Sequence, residues 1–105
     1  MKLKETSGNF EVEQLPIFLS RLKTLVDSGF DESEILQVQT IAETMPIDSS
    51  KQLEFPIDFK GVNASLKIRL FMDESESPEV SFVTQPDLAE AIDREISAFF
   101  QQRGR

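Results

Sequence analysis

The sequence predicts an α+β domain: a four-stranded antiparallel sheet with N- and C-terminal helices packed on one of its faces. Three observations predict it. Two runs of strict apolar/polar alternation, LEFPIDF and VNASLKIRLFM, flank the dipeptide Lys60-Gly61. An apolar stripe at helical spacing precedes them, at Leu15, Phe18, Leu19, Leu22, Leu25 and Val26. A second such stripe closes the chain, at Leu88, Ile92, Ile96, Phe99 and Phe100. With 105 residues the chain has enough length for one domain and one core, and residues 1–105 are read as a single domain.

Residues 1–13 alternate weakly and are read as a flexible tail or a short strand. The first helix is expected from about residue 15 to 28, because Pro16 suits a first helical turn and Gly29 the position just past an end. Asp31 to Glu34 reads as an acidic turn. Ile35 to Met45 is rich in β-formers and is expected to be a strand. Pro46 to Ser50 is a loop.

The hairpin follows. A two-residue turn at Lys60-Gly61 pairs Phe59 with Val62, Ile57 with Ala64, Phe55 with Leu66 and Leu53 with Ile68. Directly opposed residues share a face, so the turn and both alternations agree on one register. The same register sets Glu54 opposite Lys67, an exposed pair worth at most about 1 kcal/mol. Pro56 has no N–H to give, so this strand is an edge or carries a broken ladder beside it. DESESPE is then the loop of the next hairpin, with Met72 opposite Val80 and Leu70 opposite Phe82. Pro86 opens the last helix, and Asp87 and Glu90 suit its positive N-terminus.

Composition excludes more chemistry than it suggests. The chain has no Cys and no His, so no disulfide, no Ser-His or Cys-His pair and no zinc site built on those ligands. Its four glycines are dispersed, which leaves no phosphate-cradling loop. The net charge of −8 disfavours nucleic acid and anionic membrane surfaces, and favours a basic protein partner. No apolar run reaches the ~18 residues that span a bilayer. The first residues have no apolar stretch of the signal-peptide kind, so a cytoplasmic location is the default expectation.

Charge is segregated. Residues 27–58 hold eight acids and one Lys, and residues 73–95 hold eight acids and one Arg. Between them Lys60, Lys67 and Arg69 form a basic island with no acid among residues 59–72. Such blocks are ordinarily solvated surface; their functional version is attraction of a basic partner.

Two motifs bear on metal chemistry. Asp73, Ser75, Ser77 and Glu79 alternate as in a calcium loop, but Pro78 stands at the required Gly and Thr84 at the required bidentate Glu. Pro46-Ile47-Asp48 with Asp58-Phe59-Lys60 loosely resembles the PD…(D/E)xK nuclease pattern, whose carboxylates hold Mg²⁺ while a Lys orients water. The helix–strands–helix order also resembles the double-stranded RNA-binding domain. The basic residues that fold uses on its second helix are absent; Asp87, Glu90, Asp93 and Glu95 stand there instead.

The expectation is therefore a non-enzymatic, acidic protein-binding module of adaptor, inhibitor or chaperone type, without cofactor or metal. Its expected surface is the sheet face opposite the helices: Phe71, Val83, Arg69 and Lys67, joined by Ile41 from the strand expected at 35–45. Asp73, Glu74, Glu76 and Glu79 form its acidic rim. Homodimerisation through that face is the simplest form of such an interface. The alternatives are a metal-dependent nuclease-like enzyme around Asp48, Asp58 and Lys60, and a carrier of small apolar ligands in a Phe-lined cavity.

Overall fold

The computed structural model describes residues 2–74 and 77–103. Its sheet has four antiparallel strands in the order β1-β4-β3-β2, formed by β1 (Lys4–Asn9), β2 (Ser49–Phe59), β3 (Val62–Met72) and β4 (Glu79–Thr84). Three helices cover one face: α1 (Leu15–Leu25), α2 (Glu32–Thr44) and α3 (Pro86–Arg103). α3 lies along β1 and β4, α1 between α3 and α2, and α2 beside β2. The class read from the sequence, a two-layer α+β domain with an antiparallel sheet, is the one observed.

The β2–β3 hairpin has the expected register from Leu53 opposite Ile68 to Phe59 opposite Val62, and the same ladder runs on into the segment expected as a loop, to Ser49 opposite Met72. Lys60 and Gly61 take φ of 53° and 78°. Positive φ at both central residues matches the right-handed twist of the strands. β2 is an edge strand, which is where Pro56 can sit. Near Pro56 the chain after α1 adds a short bridge. Asp27 N–H donates to Asp58 O at 2.8 Å, and Asp58 N–H donates to Ser28 O at 3.0 Å.

Residues 35–45 are not a strand. They form most of α2, whose first turn is the acidic segment Asp31–Glu34. Asp31 and Glu34 make a capping box in which Asp31 N–H donates to Glu34 Oε1 at 2.7 Å. Ile35, Val38, Ala42 and Met45 are buried at steps of three and four, while Leu36 points outward at 65% exposure. That period is helical, and it outweighs the β-propensity of the individual residues.

The fourth strand is instead β1, at the segment read as a tail or short strand. Its helix-facing positions are Lys4, Thr6 and Gly8. Lys4 pairs with Glu90 at 3.5 Å and Thr6 donates to Asp93 at 2.7 Å. A Cβ at Gly8 would stand 3.0 Å from the Phe100 ring, so glycine lets α3 close onto the strand.

Two further corrections concern register and helix ends. β4 is displaced by two residues from the expected pairing: Leu70 faces Val80, Ile68 faces Phe82, Lys67 faces Val83 and Arg69 faces Ser81. A two-residue shift preserves faces, so inward residues stay inward. α1 ends at Leu25, not 28, and Gly29 is not its cap. With φ of 97°, Gly29 brings the chain against the backbone of Pro56 and Ile57.

The core joins both layers. Phe10, Phe18, Phe82 and Phe99 are buried, and Phe18 holds ring distances of 4.8 Å to Phe10, 5.7 Å to Phe82 and 5.6 Å to Phe99. Phe30 packs edge-on to Phe55 at the β2 end. These rings pack against one another between the layers. Among the described residues no helix is long and apolar enough to cross a membrane.

Candidate functional site

The open sheet face is built from alternate residues of all four strands. Its rows follow from the pairing: Asn9, Glu79, Phe71 and Ser50; then Ser7, Ser81, Arg69 and Gln52; then Glu5, Val83, Lys67 and Glu54. Phe71, Arg69, Lys67 and Val83 therefore share this face, as the sequence predicts. Ile41 does not: it lies on α2, half-buried against the core, on the other side of the sheet. Asp73 and Glu74 follow β3 and Glu79 opens β4, at the hairpin end of the face. Glu76, with Ser75, lies outside the described residues.

The face is more polar than expected. Phe71 is 40% exposed. Four residues along a strand and one strand across place it about 14 Å from Val83, so the two make no continuous patch. Arg69 stands between them and donates through Nε and Nη2 to Gln52 Oε1, both at 3.3 Å. Glu54 accepts from Ser65 Oγ at 2.6 Å beside Lys67.

The carboxylates of the nuclease-like pattern do not converge. Asp48 precedes β2 and Asp58 nearly ends it, so ten residues of extended chain separate them by roughly 30 Å. Asp58 accepts from Ser28 Oγ at 2.8 Å, and Lys60 lies in the turn with its ammonium 5.3 Å from the Phe59 ring. Among the described residues no group of three or more acids is placed to hold a metal ion.

A different surface gathers what a peptide needs. Beneath α2, at the β2 edge, Leu36, Ile41 and Leu53 line an open groove of about 500 Å³ together with Ser33, Gln37 and Thr40. Its floor is Leu53, half-buried on the helix face of β2. Its wall is the outward side of α2, which carries Leu36 into solvent.

The β2 edge runs alongside. Asp58 turns both its N–H and its C=O outward, to Ser28 and Asp27. Backbone direction alternates along an unbroken antiparallel register, so Ser50, Gln52 and Glu54 turn theirs outward too. No group among the described residues bonds to those outward N–H and C=O groups.

Electrostatics complete the site. Groove and edge both fall within residues 27–58, where Lys51 is the one base among eight acids. In the first turn of α2, Glu34 accepts from the Asp31 N–H and from the Ser33 hydroxyl, which together hold its carboxyl below the usual range. Lys23 pairs with Glu32 at 3.1 Å on the α1 side.

Sequence reasoning places Leu36 and Ile41 on a strand and so misses this seam. Three signals mark it: the Asp31/Glu34 capping pair, the spacing of Ile35, Val38, Ala42 and Met45, and the edge role imposed by Pro56. Compared with protein-family models, curated proteins and solved structures, the chain matches none of them.

Proposed function

We propose that this chain is a non-enzymatic protein-binding module that takes a basic partner. The observation that supports it is the seam between α2 and β2, where apolar side chains are open to solvent within one of the two acidic segments of the chain. Apolar exposure beside an uncovered strand is unusual on a monomer surface and is a feature of interaction sites. The acidic residues of the chain, whose net charge is −8, speed encounter with a cationic partner and discourage acidic ones. They also act against a second copy, which would bring two net −7 segments together at this seam.

The test compares two aspartate substitutions. A decapeptide alternating lysine and valine is titrated into wild type, Leu36→Asp and Phe71→Asp at low and physiological salt. Binding that weakens with salt, is lost in Leu36→Asp and is kept in Phe71→Asp supports the reading. Binding lost only in Phe71→Asp moves the working surface to the open sheet face, as does a dimer in light scattering that this substitution dissociates. No binding at either salt ends the proposal.

A further inference from the structure

We infer that the partner binds as an added β-strand, an extended basic peptide that pairs with the Ser50–Glu54 half of the β2 edge. This rests on the protein-binding reading above and specifies its mode.

The edge is divided. Its 56–58 half is closed: Pro56 has no outward N–H, and Asp58 is bonded on its outer side by Asp27 and Ser28. Its 50–54 half keeps three consecutive outward-facing residues with no partner among the described residues. Exposed edges are normally blunted, and this one is blunted over half its length. The closed half also sets where an added strand must stop.

Side-chain geometry gives the peptide its pattern. A strand added beside β2 alternates its side chains between the two faces. Residues beside Leu53 point to the helix side and meet Leu36 and Ile41. Residues beside Gln52 and Glu54 point to the open face, where the adjacent carboxylate is Glu54 and where Arg69 and Lys67 stand one strand further in. The matching peptide is apolar at alternate positions and polar between them, with a basic residue beside Glu54. Backbone bonds supply affinity in this mode, and the alternate pockets supply specificity.

The opposite edge does not offer the same site. Beside β1 the helix layer presents Glu90, Asp93 and Arg94, with Lys4 bridged to Glu90 and Thr6 bonded to Asp93. The groove there is lined by charged and polar side chains with Ala89, not by large apolar ones.

The experiment uses the whole chain and the lysine–valine decapeptide. Two N-methylated versions are made, one methylated at the lysine nitrogens and one at the valine nitrogens. In an added strand only one set of N–H groups faces β2. One version should lose at least tenfold in affinity while the other binds like the parent. Lysine methylation does so if the strand is antiparallel, and valine methylation if it is parallel. Equal loss in both versions, or loss in neither, overturns strand addition while the binding reading stands. Failure of the unmodified peptide to bind overturns both.

A second variant works from the protein side. Gln52→Pro removes one outward N–H without touching the β2–β3 ladder, as Pro56 already does. The variant should melt within a few degrees of wild type and bind the peptide at least tenfold more weakly. Unchanged binding by the folded variant overturns the inference. If the variant does not fold, the methylation pair decides the matter on the wild-type chain.

Discussion

Gly29 and Gly61 both hold positive φ, yet alanine at the two positions should have very different effects. At Gly61, with φ of 78°, a Cβ meets nothing within 4 Å. Gly61→Ala therefore costs only the left-handed conformation, about 1 kcal/mol. At Gly29, with φ of 97°, a Cβ would stand 2.8 Å from Ile57 Cα and closer still to the Pro56 carbonyl. Both are backbone atoms of β2 and cannot swing aside. The chain at 27–29 must lift, and the bonds between Asp27, Ser28 and Asp58 go with it. Two backbone hydrogen bonds at about 1 kcal/mol each, added to the conformational cost, give roughly 3–4 kcal/mol. A domain of this size has about 5–15 kcal/mol in all. Urea unfolding followed by circular dichroism reads the difference. With a slope of about 1–1.5 kcal/mol/M, the Gly29→Ala midpoint should fall by roughly 2–4 M, and the Gly61→Ala midpoint by no more than about 1 M. Equal effects of the two substitutions would show that residues 27–29 do not close on β2 as described.

Other outcomes follow from the same structure. Phe18→Ala, at the meeting of three rings in the core, should cost about 3–5 kcal/mol in urea unfolding. Phe71→Asp, on the open face, should cost about 1–2 kcal/mol, because the ring is partly covered and the new carboxylate faces Glu79; a loss as large as that of Phe18→Ala would place Phe71 in the core and refute the face assignment. Asp31→Ala should cost about 1 kcal/mol and lower the helical signal, because it removes the side-chain acceptor of the Glu34 N–H while keeping the Asp31 N–H that the Glu34 carboxylate binds. Glu34 also gives α2 a pH dependence. Its folded carboxyl is held below the ordinary value by the Asp31 N–H and then Ser33. Its contribution is therefore present in full above about pH 4.3 and is lost as pH falls through the lower folded value. Protection of the amides in the first turn of α2, taken relative to their intrinsic exchange rates, should fall on acidification, and Glu34→Gln should remove most of that change.

Legibility in the sequence tracked how many independent signals bore on each element. β2 and β3 each alternate, and the turn at Lys60-Gly61 ties the two patterns together; the whole ladder follows. α1 and α3 show wide apolar stripes with Pro in the first turn, although α1 stops three residues early. β1 was only half legible. Its helix-facing positions are Lys4, Thr6 and Gly8, so no hydrophobic alternation announces a strand, and Gly8 is there to admit Phe100. β4 was right in face and wrong by two in register, because nothing in a polar loop fixes its length. α2 reads as a strand because Ile35, Val38, Thr40 and Ile41 are β-formers taken singly, while Ile35, Val38, Ala42 and Met45 together make the three-and-four spacing of a buried helix face. That single error carried Ile41 to the wrong side of the sheet and hid the groove. The open-face residues Phe71, Arg69, Lys67 and Val83 were placed correctly, since their face depends only on parity.

The seam between α2 and β2 is the centre of this account, and amide chemical shifts read it directly. The isotope-labelled protein is titrated with the lysine–valine decapeptide and every amide is followed. The account predicts shifts concentrated at Ser50, Gln52, Glu54, Leu36 and Ile41, with Glu5, Ser7, Phe71 and Val83 unmoved. Shifts concentrated at Glu5, Ser7, Phe71 and Val83 instead, with the seam silent, would contradict it.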